Sequence, residues 1–134
     1  MNSIELINIL GEMRFRFYDD QIEDIIEYLD KMISDKRVIM IDNEHGPCVV
    51  VTFSVTNSPD EFLKKDTWEY KPHDKRGEIV YVEKLMSTGW NRDLREILER
   101  KITELYPNIK FAVWHKYARW GDRMVISKRR LQHV

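Results

Sequence analysis

The stretch Gly77–Arg130 carries the residues of this chain that are best suited to chemistry. It begins GEIVYVEKLMSTGWNR, in which alternating apolar residues predict a strand that stops at a Ser-Thr-Gly turn and runs into a helix. At such a turn the free backbone N–H groups of the helix N-terminus point towards a bound anion or a reacting carbonyl. The sequence therefore predicts a site at this turn.

Glu83 is the most specific single residue of the predicted strand. A carboxylate among apolar neighbours has to be paired or hydrogen-bonded when it is buried. Glu83 is therefore either a proton acceptor in a site, or a structural glutamate that reaches solvent or pairs with an arginine. The alternation places it on one face with Tyr81 and Leu85, and the opposite face then consists of Val80, Val82, Lys84 and Met86.

A second pair of candidates lies on the predicted strand Ile109–Tyr117. His115 and Tyr117 share a face of it, and an imidazole and a phenol can act as base and acid. The alternative is a half-buried pair whose polar atoms are satisfied by neighbours. His45 and Cys48 also lie close in sequence, but no third orienting group accompanies them, which indicates a turn histidine and a buried cysteine.

Composition limits the class of protein. With 134 residues, 43% hydrophobic and 34% charged, the chain is expected to form a single domain spanning residues 1–134. The net charge of -1 argues against a uniformly basic nucleic-acid binder. Residues 1–33 carry eight acidic and three basic side chains, however, whereas residues 110–134 carry seven basic and one acidic. These are either two solvated faces or an anion-binding C-terminal half.

Cysteine, histidine and hydropathy patterns add three further expectations. Cys48 is the only cysteine, so no internal disulfide can form, and the histidines show no metal-ligand spacing. No apolar run approaches the ~20 residues that a membrane span needs. We therefore expect a cytoplasmic protein without a metal and without a membrane partner.

The element order follows from periodicity and turn residues. Three helices have apolar stripes: Ile4, Ile7, Leu10 and Met13 in the first, Ile22, Ile25, Ile26, Leu29 and Ile33 in the second, and Leu94, Ile97, Leu98, Ile102 and Leu105 in the third. A long loop, Asn57–Arg76, is expected to be solvated or to act as a lid or binding segment. The predicted elements are a helix capped by Ser3, a helix at Asp20–Ser34, strands at Arg37–Asp42, Pro47–Thr56 and Glu78–Ser87, a helix at Asn91–Tyr106, and strands at Ile109–Tyr117 and Arg123–Ser127.

This order resembles the core of the Gcn5-related N-acetyltransferase (GNAT) superfamily. Its layout is most similar to the toxin-activating lysine acyltransferase branch, over roughly residues 37–130. The stretches that carry the resemblance are RVIMID, GPCVVVTFSV, IVYVEKLMSTGWNRDLREIL, TELYPNIKFAVWHKY and GDRMVISKRR. The resemblance implies an α+β fold with two N-terminal helices and a central, mostly antiparallel mixed sheet with a crossing helix. The short chain and its turn also resemble accessory proteins encoded by bacterial viruses.

The resemblance further implies transfer of an acyl group from acyl-CoA (acetyl-CoA) to an amine. The amine acceptor can belong to a protein. Glu83 would then accept the proton of the amine or orient another base, with His115 as the other base, and Tyr117 would protonate the leaving thiolate. The backbone amides of Leu85, Met86 and Ser87 would stabilise the oxyanion. The pyrophosphate of the coenzyme would lie against Ser87, Thr88, Gly89, Trp90, Asn91 and Arg92.

A non-enzymatic binding module is the alternative function. Trp90, Trp114 and Trp120 lie among basic residues, a mixture that can stack on bases and contact phosphates. The same mixture suits an adenine with its 3′-phosphate, or ordinary aromatic packing under a charged surface. In the alternative, the C-terminal half would hold nucleic acid or an acidic protein through these tryptophans together with Arg92, Lys116, Arg119 and Arg123.

Overall fold

The computed structural model describes residues 1–64, 68–117 and 124–131. Within them the chain forms an α+β fold of three α-helices and a mixed five-stranded sheet, as the sequence predicts. Two 3-10 turns, Asp19–Gln21 and Pro59–Lys64, accompany these elements. In chain order the elements are α1 (Ser3–Glu12), α2 (Ile22–Ser34), β1 (Val38–Asn43), β2 (Gly46–Thr56), β3 (Ile79–Ser87), α3 (Arg92–Leu105), β4 (Phe111–Tyr117) and β5 (Met124–Arg130).

The strands lie in the sheet in the order in which they occur in the chain. Neighbouring strands are antiparallel except β3 and β4, which are parallel and are joined through α3. A parallel connection needs such a crossover because the chain must return to the same end of the sheet. The strand-turn-helix stretch therefore provides the single parallel pair among the described strands.

The buried strand β2 forms the centre of the core. Its residues from Cys48 to Thr56 are all buried, which confirms the prediction of a strand covered on both faces. Val50 packs into the cluster formed with α1 and α2. Val51 and Phe53 pack instead with Leu98 and other residues of α3. The two faces of the sheet are referred to below as the α1–α2 face and the α3 face.

The first helix begins one residue earlier than predicted. The side chain of Asn2 accepts a hydrogen bond from the Glu5 N–H at 2.9 Å and is the N-cap, so the prediction of Ser3 as the cap is wrong. Ser3 is buried, and its N–H donates to Asp30 of α2 at 3.2 Å. This contact turns the Ser3 side of α1 towards α2, and Ile4 is consequently 54% exposed rather than part of the core.

The second helix buries a stripe that is shifted from the predicted one. Ile25 and Leu29 are fully buried as expected, but Tyr28 and Met32 complete the stripe, while Ile22, Ile26 and Ile33 are only partly buried. Just beyond the end of α2, Lys36 has φ +58°, and the N–H of Arg37 donates to the Met32 carbonyl at 2.8 Å. This Schellman arrangement directs Arg37 back under the helix.

The third helix is capped as predicted, by Asn91, whose side chain accepts from the Leu94 N–H at 2.9 Å. Leu98 and Ile102 are buried, whereas Ile97 is 37% and Leu105 56% exposed, so the predicted apolar stripe is too wide. Tyr106, just beyond the helix, fills the place expected for Leu105 by packing edge-on against Phe53 with ring centroids 5.8 Å apart.

Most described residues of the loop between β2 and β3 are exposed, as its composition predicts, but two of its side chains are buried. Phe62 and Lys71 are 1% and 3% exposed. The strand β1 pairs with β2 only as far as Thr52. Beyond Thr52, residues of the loop bond to the same edge of β2, where the Val55 N–H donates to His73 Nδ1 at 3.0 Å. Burial, with the charge of Arg37, lowers the pKa of His73 to about 4. The loop is thus packed into the sheet edge.

No helix in the described part of the chain is long and apolar enough to cross a membrane.

Candidate functional site

A β-bulge at Glu83 determines which side chains of β3 face which side. Thr52 pairs with Lys84 and the next residue, Phe53, pairs with Val82, so that Glu83 is the extra residue of the ladder. Glu83 and Lys84 consequently both face α1 and α2, and Leu85 moves to the α3 face. The predicted alternation is therefore wrong from Lys84 onward, because it assumes an unbroken register.

The carboxylate of Glu83 lies at the centre of a buried polar cluster. Its side chain is 1% exposed. Four donors surround it: Arg37 Nη2 at 3.1 Å, Lys71 Nζ at 3.4 Å, Ser54 Oγ at 2.6 Å and Tyr28 OH at 3.1 Å. These five residues are called the ion cluster below. The interpretation of Glu83 as a structural glutamate paired with an arginine agrees with this geometry.

Arg37 is the most deeply buried charge of the ion cluster, and it is one of four members that the sequence did not single out, with Tyr28, Ser54 and Lys71. It is 0% exposed, its Nε donates to the Phe53 carbonyl at 2.9 Å, and its Nη2 also contacts Ser54 Oγ. Asp35 lies 3.5 Å from its Nη1 at the rim of the cluster. The signal available in sequence was an arginine at the start of an otherwise apolar strand, preceded by a helix end.

Two further side chains extend the ion cluster along the α1–α2 face. Tyr28 OH lies 2.8 Å from Thr52 Oγ1, and burial, followed by the charge of Glu83, raises its pKa, so this phenol is neutral. Lys84 Nζ lies 4.4 Å from the ring centroid of Trp68. Burial, together with the charge of Lys71, lowers the pKa of Lys84 to about 8.

The parallel ladder between β3 and β4 covers only the beginning of each strand. It pairs Ile79–Val82 with Phe111–Trp114, and no further pairs occur between the described residues of the two strands. On the other side of β3, the Thr88 N–H donates to the Cys48 carbonyl at 3.0 Å. Because N–H directions alternate along an antiparallel strand, the N–H of Met86 points to β2, and those of Leu85 and Ser87 point to the side where β3 leaves β4.

A cavity of about 490 Å³ lies on the α3 face beside this divergence. It is called the α3 cavity below. Its polar residues are Arg95, Glu99 and Arg129. Glu83 borders it through its main chain, since its side chain lies on the other face. The remaining lining is apolar and consists of Val80, Val82, Leu85, Trp90, Leu98, Ile102, Ala112, Trp114 and Leu131.

The predicted phosphate-binding turn is largely exposed. Gly89 has φ +112°, a conformation that glycine adopts without strain. Trp90 is 40% exposed and lines the α3 cavity. The oxygen of Asn91 is already engaged as the N-cap, and Arg92 Nε bonds to Glu96 at 3.1 Å. Leu85 and Trp90 are thus the predicted cofactor contacts that the fold brings to the cavity, with Thr88 exposed beside them.

Other predicted residues lie apart from the cavity or beyond the described part of the chain. His115 and Tyr117 belong to β4, where their backbones pair with Ile126 and Met124, and their side chains lie outside the described residues. Arg119, Trp120 and Arg123 also lie outside them. The His45 side chain is 83% exposed and Cys48 is buried, as expected for a turn histidine and a structural cysteine.

A second cleft, of about 650 Å³, lies beside α2 on the α1–α2 face. Tyr28, Trp68 and Tyr70 supply aromatic walls, and its acidic lining includes Asp24 and Glu27. Tyr28 connects this cleft, called the α2 cleft below, to the Glu83 carboxylate. Carboxylates and aromatic rings together attract cations.

Comparison with protein-family models finds no match to this chain, and comparison with curated proteins finds none either. Among the described residues, no group of three or more His, Cys, Asp or Glu side chains is arranged to hold a metal ion.

Proposed function

We propose that this protein is an acyl-CoA-dependent N-acyltransferase of GNAT-like fold. The observation that carries the proposal is the divergence of β3 from β4 after four ladder pairs, beside the α3 cavity. A gap between two parallel strands gives a bound group access to main-chain N–H groups that a complete ladder would occupy. Leu85 and Ser87 direct such N–H groups towards this gap.

In this proposal the acyl donor lies along the divergence. The thioester carbonyl accepts hydrogen bonds from the amides of Leu85 and Ser87, which stabilise the oxyanion of the tetrahedral intermediate. The acyl group or the adjoining thiol arm packs against the apolar wall of the α3 cavity. The pyrophosphate lies at the turn before α3, where the N-terminal N–H groups and Arg92 favour an anion.

The α2 cleft suits the amine acceptor. Lys31 already shows how a cation is held there, because its Nζ lies 3.2 Å from Glu27 and 5.6 Å from the Tyr70 ring centroid. An amine from a protein or a small molecule would make similar contacts. The two substrates lie on opposite faces of β3 and would meet where β3 and β4 separate, since no ladder closes the sheet there.

The chemical step is a direct transfer. The amine nitrogen attacks the thioester carbonyl, a C–N bond forms, the C–S bond breaks, and the thiolate takes up a proton. His115 is the proposed proton acceptor and Tyr117 the proposed proton donor to the thiolate. Because the four donors around Glu83 occupy its carboxylate, its role here is to orient Tyr28 at the cleft.

Calorimetry and a thiol-release assay test the two parts of the proposal separately. We expect acetyl-CoA to bind the wild-type protein and to release free coenzyme A in the presence of polyamines or lysine-rich peptides. Binding without release would identify a relative that keeps the fold and has lost the chemistry. Absence of any heat with acetyl-CoA would contradict the proposal.

A binding module is the second candidate function, favoured by the exposure of Trp90 beside Arg92, whose side chain is 78% exposed. This combination can stack on a base and contact a phosphate. Binding to single-stranded DNA that weakens steeply with added salt, together with no binding of acetyl-CoA, would favour this function over acyl transfer.

A further inference from the structure

The α3 cavity contains positive charge that the described residues of its lining do not neutralise. The Nε of Arg95 is buried and has no hydrogen-bond partner among the described residues. Most buried polar atoms in proteins are hydrogen-bonded, and an unsatisfied one is costly, more so when it is charged. The Nε of Arg95 is therefore a donor for which the described residues supply no acceptor.

The neighbouring charges do not remove this excess. Arg129 Nη1 lies 2.7 Å from Glu99 Oε1, so the one carboxylate side chain that faces the cavity among the described residues is already paired. Even so, that Nη1 makes no well-aligned hydrogen bond. The Glu83 carboxylate lies on the opposite face within the ion cluster. Two guanidinium groups thus face one carboxylate in the described lining of the cavity.

The remaining wall determines what kind of anion fits. Apart from these charged groups the lining is apolar, and it includes the aromatic rings of Trp90 and Trp114. A volume of about 490 Å³ is within the range of small-molecule sites, roughly 300–1,000 Å³. Planar rings pack well against tryptophan faces, and a carboxylate matches the guanidinium donors of an arginine.

We propose that the α3 cavity binds an apolar aromatic molecule that carries one carboxylate, with the carboxylate on Arg95 and the ring against Trp90 and Trp114. A single negative charge balances the single excess guanidinium. The apolar wall disfavours a multiply charged phosphate. This binding does not depend on acyl transfer or on coenzyme A.

Titration calorimetry with three probes tests the proposal. 2-Naphthoate has the proposed chemistry, 2-naphthalenemethanol lacks the charge, and octanoate lacks the ring. We expect 2-naphthoate to bind at least about tenfold more tightly than either of the others, since a hydrogen bond to a charged group contributes roughly 1.5–3 kcal/mol. Equal affinity for the alcohol would show that the carboxylate charge does not contribute to binding. Equal affinity for octanoate would show that the aromatic ring does not contribute.

Variants on α3 locate the binding site. Arg95→Leu should lose the preference for the carboxylate while the protein remains folded, because the substitution removes an unsatisfied buried donor. Arg100→Leu is the matched control, since Arg100 is exposed on the same helix and does not line the cavity. Glu99→Gln should tighten binding of 2-naphthoate by releasing Arg129. Unchanged binding in Arg95→Leu, or no binding of 2-naphthoate to the wild-type protein, would overturn the proposal.

Discussion

The two faces of β3 differ in how completely their polar groups are satisfied. On the α1–α2 face, Glu83 has four donors within 3.4 Å. On the α3 face, Arg95 has a buried nitrogen without an acceptor among the described residues, beside a cavity of about 490 Å³. A satisfied network stabilises a fold, whereas an unsatisfied cavity is typical of a binding site. The comparison separates the residues that hold β3 in place from those that are available to a ligand.

The bulge at Glu83 allows β3 to contribute to the ion cluster on one face and to line the α3 cavity on the other. It keeps the carboxylate in the ion cluster and turns Leu85 to the α3 face. Arg37 from just beyond α2, Ser54 from β2 and Lys71 from the loop all contact this carboxylate. The ion cluster therefore joins three segments that are distant in sequence, and its loss should affect the whole domain.

The largest expected effect is that of Glu83→Gln. The substitution removes the carboxylate charge that Arg37 and Lys71 share while both side chains stay buried, and breaking a buried ion pair typically costs about 3–5 kcal/mol of unfolding free energy. Urea denaturation would measure this loss. Glu78→Gln is the control, because the Glu78 side chain is 51% exposed and its pair with Lys110 should contribute less than about 1 kcal/mol. Similar losses in the two variants would contradict the distinction between the faces.

A substitution that fills the α3 cavity should raise the free energy of unfolding, whereas Glu83→Gln lowers it. Ala112→Leu adds apolar volume to the cavity wall, and cavity filling commonly stabilises by about 0.5–2 kcal/mol. It should also abolish binding of acetyl-CoA and of 2-naphthoate by occupying their space. Denaturation and calorimetry on the same sample measure both effects. A destabilised variant that still binds ligand would show that the cavity is not a site.

The turn that positions Arg37 can be stabilised by a substitution outside the ion cluster. Lys36 has φ +58°, a conformation that costs a non-glycine residue roughly 1–2 kcal/mol. We expect Lys36→Gly to raise the unfolding free energy by about 1 kcal/mol. Lys101→Gly, in the exposed middle of α3, should lower it by a similar amount. A loss of stability in Lys36→Gly would exclude the Schellman turn as the reason for this backbone conformation.

The pH dependence of stability should contain a contribution from His73. Its pKa is lowered from 6.5 to about 4 in the folded protein, so between these values the unfolded chain binds the proton and the folded chain does not. This contribution is fully present above pH 6.5 and is lost as the pH falls towards 4. The difference in unfolding free energy between wild type and His73→Gln should therefore shrink over this range. The matched control is His45→Gln, at a side chain that is 83% exposed.

The sequence predicted what depends on local pattern. The element order, the Asn91 cap and the doubly covered strand β2 follow from turn residues, capping chemistry and a continuous apolar run, and all are confirmed. The predicted strand before the Ser-Thr-Gly turn also led to Glu83 as the key residue. Its role in chemistry remains a prediction.

What the sequence did not predict depends on tertiary partners. A bulge leaves no mark in the alternation of IVYVEKLMS, so the face of Leu85 was assigned wrongly. Lys71 lies in a charged segment, and its burial depends on tertiary contacts that include the carboxylate of Glu83 in β3. Ile4 and Leu105 fit a helical stripe, yet each is more than half exposed, because the tertiary packing of the described residues buries other sides of the two helices.

The central claim is tested most directly by calorimetry of acetyl-CoA binding to the wild-type protein and to Ala112→Leu. A parallel salt titration measures binding to single-stranded DNA. The central claim is that the divergence of β3 and β4 beside the α3 cavity is the site of an acyl donor. We predict binding of acetyl-CoA to the wild type, loss of that binding in a stably folded Ala112→Leu, and weak binding of DNA. No binding of acetyl-CoA to the wild type, together with salt-sensitive binding of DNA, would contradict it.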